Sequence, residues 1–359
     1  MNIVNILRIQ HTLAYEFLTS LFRLVNHEEL TLSYKSDLEE VGFSPDEQLQ
    51  AWVNETRQRF SKDVLSIAGK YFSLNAPFGM SLALLISNLD LNDHRSFIET
   101  VASTSAIEIL KRFIIPPAPD TIEIDDRLVR SLIKNTEKAL EFIEENMNIS
   151  ASHSWDLLQF MKKPQEMKNE LLSLFRWYSD NIFDELAISL DAKIMAFEEE
   201  MFRNTNRYGD DYFTLLVGFD YTRDEKIREI TLSASYFMEL KRLQLSLDDI
   251  GRDSYVIGYR RSQVIADTKH PVISTGRLLK ILSDETRLMI LKLLMGRDMY
   301  GQELARELGV ANSNITHHLA LLESAGLVRA YRIDHRTYYS FKRDSSRKLI
   351  YETLDRFFQ

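Results

Sequence analysis

The chain contains no cysteine among its 359 residues. Disulfides and thiolate metal sites are therefore excluded, and a reducing cytoplasm is the compartment expected. No apolar run reaches the roughly 18 to 20 residues that a membrane span requires. The opening MNIVNILRIQ lacks a basic leader and a small-residue cleavage site, so neither export nor membrane insertion is expected. Catalytic signatures are missing too. Residues 1–275 hold no GxGxxG, no GxxxxGK followed by Ser or Thr, no HExxH and no GxSxG, and the chain is read as a non-enzyme without a cofactor. Glycine is scarce: none occurs between Gly79 and Gly209, whereas five of the twelve lie from Gly276 to Gly326.

What is present is the 45% hydrophobic and 27% charged content of a globular protein, long enough for two or three domains. The glycine-free stretch favours helices, and Leu13, Phe17, Leu18, Leu21, Phe22 and Val25 recur at helical spacing. The fold class expected is mainly α: a helical N-terminal body with a few strands, followed by a C-terminal α+β domain. The strands are placed at Tyr212 to Phe219, Ile230 to Ser235 and Ser254 to Tyr259, which are rich in β-branched and aromatic residues. The body spans 1–260, with a joint near 116–120 where Pro116, Pro117 and Pro119 break any helix. Residues 261–275 read as a linker, 276–343 as the second domain and 344–359 as a C-terminal helix.

The net charge of −9 hides an asymmetry. Gly276 to Arg343 carries 11 Lys and Arg against 7 Asp and Glu, while the first 275 residues carry a net −13. A basic module on an acidic body suits a nucleic-acid reader, because attraction to phosphate need only be local.

Within the basic module the pattern is helix, helix, turn, helix, hairpin. Gly276 to Leu282 is a short helix. Asp284 or Ser283 caps a second, apolar helix closed by Gly296. Tyr300 to Leu308 is the third, and Gly309 lets the chain turn into a fourth from about Asn312 to Ser324. On that helix Ile315, Leu319 and Leu322 form the buried stripe at i, i+4 and i+7. Ser313, Thr316, His317 and Ala320 then face outward: small, uncharged or switchable groups that permit close approach to base edges. Asn312 and Asn314 add amides in the first turn, where base contacts of a recognition helix concentrate. His318 lies beside the buried stripe and is expected to bond internally. Leu327 to Ile333 and Thr337 to Phe341 make a hairpin across Asp334, His335 and Arg336, and Arg329, Arg332, His335 and Arg336 give it a cationic edge for phosphates or the minor groove.

The runs LLKILSDETRLMILKLL, YGQELARELGVANSNITHHLALLESAGLV and RAYRIDHRTYYSF resemble the ArsR-type winged-helix repressors. The likeness covers about 70 residues, and rests on Asp284, Thr286 and Arg287, then His317, His318 and Leu319, then Ala325 to Val328, then Tyr338 and Tyr339, all in order at family-like spacing. It implies a winged helix-turn-helix, a homodimer, and an operator of double-stranded DNA with inverted-repeat symmetry at which transcription is blocked. Ser313, Asn314, Thr316 and His317 match the family's base-facing positions. Ala311 departs from the serine usual there, so that capping passes to Asn312. The family's metal-sensing cysteines and C-terminal histidines have no counterpart in Tyr300 to Leu308 or Tyr351 to Phe358, so no metal is expected. The long N-terminal body resembles the helical extension of some larger members and implies no activity; dimerisation and sensing of a small-molecule or peptide effector are the roles expected of it.

The alternative is an enzymatic or protein-docking body, with the winged helix as tether or interaction module. Glu198 to Glu200 and Asp210-Asp211 read as solvated charge, and His11, His27, His94 and His153 as structural. Trp52, Trp155 and Trp177 fit either an effector pocket or core.

Overall fold

Helix α1 (Leu13–Glu40) buries far more than its apolar stripe. Phe17, Leu18 and Leu21 are fully buried as their spacing requires, but so are Glu16, Thr19, Ser20 and Arg23 on its other faces. Polar groups removed from water need partners, and these have them. Glu16 accepts from the backbone N of Tyr236 at 3.1 Å. Arg23 meets Glu239 at 2.6 Å and donates to His27 Nδ1 at 2.9 Å. The helix bends at Asn26, whose φ of −115° is non-helical; its amide donates to the carbonyls of Phe22 and Phe72 and accepts from Leu74 N, tying the bend to the chain at 72–74.

This computed structural model describes residues 3–40, 46–115, 124–147, 149–219, 221, 227–247, 251–267, 275–310, 312–333 and 336–358. The proline cluster of the expected joint lies outside them. After α1 come α2 (Glu47–Gln58), α3 (Lys62–Phe72), α4 (Ala83–Leu89), α5 (His94–Ser103), α6 (Ala106–Phe113), α7 (Asp126–Lys134), α8 (Thr136–Asn146), α9 (Ala151–Lys162), α10 (Pro164–Tyr178) and the long α11 (Asp184–Val217). Short polar residues start most of them: Asp46, Ser61, Asp93, Ser105, Asp125, Asn135 and Ser150 each accept a first-turn N–H. Their apolar faces share one core with α1, in which Phe17 touches the rings of Phe97, Phe175, Tyr178 and Phe183.

A four-stranded sheet closes the body, ordered β1 (Leu7–Ile9), β2 (Glu229–Ser235), β4 (Arg252–Gly258), β3 (Arg242–Leu247). β1, β2 and β4 run parallel, and β3 is antiparallel to β4. Alternate side chains point to opposite faces. On β4, Val256 joins the helical core, while Tyr255 and Ile257, with Ile230 and Leu232 of β2, join a second cluster with Tyr212, Phe213, Leu216 and Val217.

Two expectations are corrected here. Tyr212 to Phe219 is not a strand: α11 runs through Val217, because Tyr212, Phe213, Leu216 and Val217 fall at i, i+1, i+4 and i+5 and bury one helix face against the sheet. The expected linker is helical over its first half, as α12 (Tyr259–Asp267). Its Arg261 donates to the carbonyls of Leu216 and Leu215 at 2.7 and 2.6 Å, and so holds α12 to the end of α11.

The C-terminal region comprises α13 (Thr275–Leu282), α14 (Glu285–Gly296), β5 (Met299–Tyr300), α15 (Gly301–Leu308), α16 (Asn312–Ser324), the strands β6 (Val328–Ile333) and β7 (Arg336–Phe341), and α17 (Arg343–Phe358). It has its own core of Leu278, Ile281, Ile290, Leu294, Leu304 and neighbours. The protein is mainly α, with a C-terminal winged helix-turn-helix.

Candidate nucleic-acid interface

Asp284 organises the start of the module. Its carboxylate accepts from Arg287 N at 2.9 Å as the N-cap of α14, and that backbone hydrogen bond holds its pKa below the ordinary carboxylate value. Arg287 reaches back to the carbonyls of Ile281 and Lys280, which closes the end of α13. From the other side His318, on α16, lies 3.6 Å from Asp284. One carboxylate thus relates three helices, and His318 has the internal role expected of it.

The turn into α16 depends on Gly309, at φ 66° and ψ 29°, where an L side chain would be strained. Ile315, Leu319 and Leu322 are 0%, 1% and 0% exposed, which fixes the helix's rotation. Asn314, Thr316 and Ala320 are consequently exposed. Asn312, Ser313 and His317 lie on the same helix by backbone, with side chains outside the described residues. The helix begins at Asn312; Ala311, where the cap was in question, is also outside.

In the wing, β6 and β7 pair antiparallel with Arg329 opposite Ser340, Arg332 opposite Thr337 and Ile333 opposite Arg336. Arg336 is therefore the first residue of β7 and not part of the turn, as the sequence had suggested. Asp334 and His335 lie outside the described residues, as do the side chains of Arg332 and Arg336. Arg329 is half-buried in its strand. Tyr331 stacks on Tyr338, with ring centres 5.8 Å apart, and its hydroxyl donates to Asp298 at 2.6 Å, which stiffens the hairpin.

The family model described as bacterial regulatory protein, arsR family, matches residues 284–330. The transcriptional repressor SdpR of Bacillus subtilis is 36% identical over 65 residues, which are 18% of this chain and 72% of SdpR. The chain belongs to the ArsR family. A second ArsR-type relative, the HTH-type transcriptional regulator KmtR of Mycobacterium tuberculosis, is 32% identical over 75 residues, 21% of this chain and 58% of KmtR. No solved structure matches. Membership makes this ArsR-family chain a DNA-binding transcription regulator.

Sequence reasoning missed how this ArsR-family winged helix meets its body. Glu323, near the end of α16, lies 3.9 Å from Arg242 on β3. Arg242 also covers the ring of Phe219 at 5.0 Å. Burial raises the pKa of Glu323, and the charges of Arg242, Arg261 and Lys342 oppose that rise. Ala330 of the wing, 1% exposed, packs into the body's second cluster, and Tyr339 touches that cluster and the winged-helix core alike. A glutamate and an alanine at these places carry no signal in sequence.

The remaining candidates in the body have structural partners. His11 bridges Glu198 at 2.8 Å and Asp191 at 3.0 Å, so Glu198 is buried and not solvated as expected. His27, His94 and His153 bond Gln50, Asp184 and Ser150. Trp52 packs on Phe237 and Trp177 on Phe60, whereas Trp155 is exposed. Among the described residues no helix is long and apolar enough to cross a membrane.

Proposed function

We propose that the protein is a homodimeric repressor that binds an inverted-repeat operator through two winged helices. The observation that carries this reading is the uncharged exposed face of α16, with Asn314, Thr316 and Ala320 opposite its buried stripe. A merely solvated helix face favours Glu and Lys, whereas amides, hydroxyls and small groups suit hydrogen bonding to base edges. Asn312, Ser313, Asn314, Thr316 and His317 are the base-reading residues in this proposal. Arg329, Arg332, His335 and Arg336 supply the wing's contacts to phosphate or minor groove. The acidic body senses an effector, a small molecule or peptide, and transmits its state through the contact at Glu323 and Ala330. The domain limits that fit are a body through α12 and a DNA-binding unit from α13 onward.

The test is selection from random duplex DNA by the purified full chain, followed by a salt titration of the selected sequence. Enrichment of an inverted repeat with half-sites about one helical turn apart supports the reading. Absence of any enriched sequence, with and without cell extract as a source of effector, would overturn it.

A further inference from the structure

Helix α11 carries an apolar stripe that no described residue covers. Ile188 is 82% exposed, Met195 48% and Phe202 40%. They recur every seven residues on one face, and Ala192 and Ala196, also exposed, lie between them. Ile188, Met195 and Phe202 with Ala192 and Ala196 form an apolar strip along one helix face, and such a strip leaves water by packing on another helix. The exposed residues of this stripe are larger and better aligned than single surface hydrophobics, which need no explanation.

We propose that this face, centred on Met195, is where two copies of the chain pair antiparallel about a two-fold axis. The inference deepens the homodimer clause of the reading above by naming its surface. An isologous interface must be self-complementary. Ile188 and Phe202 stand seven residues to either side of Met195, about 10.5 Å along the axis at 1.5 Å per residue, so an antiparallel copy sets Ile188 against the partner's Phe202 twice. The charges agree at the ends. Exposed Glu185 lies before the stripe, and exposed Arg203 and Arg207 lie beyond its centre, so antiparallel pairing brings Glu185 between the partner's Arg203 and the partner's Arg207. A parallel pair would set each group against its like. One like-charged approach remains, Asp191 with the partner's Glu199, and Asp191 is already bonded by His11 at 3.0 Å. The alanines at 192 and 196 let the helix axes come close.

The absence of cysteine makes the test clean, because one introduced thiol reports one position. Full-length protein carrying Met195→Cys should oxidise to a covalent dimer, since the axis brings this position against itself within disulfide reach. Ile188→Cys alone should not, whereas an equal mixture of Ile188→Cys and Phe202→Cys chains should cross-link as mixed dimers. In sedimentation, Met195→Glu should raise the dimer dissociation constant by at least about 30-fold, as loss of a central contact does, with the circular dichroism spectrum of the folded chain unchanged. A wild-type chain that is dimeric, but equally dimeric as Met195→Glu and without cross-linking at 195, overturns this face and leaves the homodimer reading standing. A wild-type chain monomeric at about 50 µM, well above micromolar affinities, overturns both. Cross-linking by Ile188→Cys alone overturns the antiparallel arrangement.

Discussion

Glu323 on α16 and Arg242 on the body's edge strand lie 3.9 Å apart, 81 positions apart in sequence. The pair joins a helix of the winged helix-turn-helix to the sheet of the N-terminal body. Both side chains are 23% exposed, so the attraction is screened less than on an open surface. Arg261 stands by as a second cation, and arginine keeps its proton even where burial disfavours the charge.

Arg242→Ala should therefore loosen the winged helix from the body. It removes the ion pair and the contact with Phe219, a loss of about 1 to 2 kcal/mol in all. Urea unfolding followed by tyrosine and tryptophan fluorescence measures the loss. DNA affinity should change with it, and Arg242→Lys should restore part of both. Unaltered unfolding and unaltered DNA affinity would show that the two regions are not coupled there.

Asp284→Ala should cost about 1 to 2 kcal/mol, because it removes the cap of α14 together with the carboxylate that faces His318. Asp284→Asn keeps the capping acceptor and should recover most of that loss. If the two variants melt at the same temperature, capping is not what Asp284 contributes.

The winged helix was legible in sequence because its determinants are local. A glycine at 309 and apolar residues at 315, 319 and 322 dictate turn and rotation without distant help. The body was legible only as helical. β1 is three residues long, and its partner strand begins more than 200 positions later, so no periodicity announces it. The aromatic and β-branched run at 212–219 reads as strand by composition, and its residues through Val217 became helix because they bury one side of α11 against the sheet. Glu16, Thr19 and Arg23 on α1 look like a solvated face. They are buried because β2 and the chain after it supply Tyr236 N and Glu239. Such pairings arise from tertiary placement, which composition does not encode.

His11 gives a pH dependence of defined sign. Its bonds to Glu198 and Asp191 raise its pKa from the ordinary 6.5 to about 9, against the opposing effect of burial. A raised folded-state pKa means that the stabilisation is complete below pH 6.5 and is lost as pH rises through about 9. The imidazole is 36% exposed, so solvent screening reduces the effect to about 1 kcal/mol. Thermal midpoints of the wild type should fall between pH 6.5 and 9, and His11→Gln should flatten that part of the profile. An equal slope in the variant would assign the dependence to other groups.

Two substitutions separate the proposed roles of helix and wing. Arg336→Ala removes a cation from the first position of β7 and should weaken binding to every duplex alike, reducing the slope of log affinity against log salt by about 1. Thr316→Ala removes an exposed hydroxyl from α16 and leaves the charge unchanged. It should keep the salt slope and relax the preference at one or two base pairs, a loss of discrimination of about 1 to 3 kcal/mol. Ser313→Ala and His317→Ala should behave as Thr316→Ala does, at neighbouring base pairs. Leu319→Ala is the control: its side chain is 1% exposed, so it should lower stability by about 2 to 5 kcal/mol and impair all binding through the fold. Binding across a panel of single-base operator variants at several salt concentrations resolves the three patterns. If Thr316→Ala and Arg336→Ala gave the same sequence-blind loss, the outward face of α16 would not be the reading surface, and specificity would have to reside in the wing.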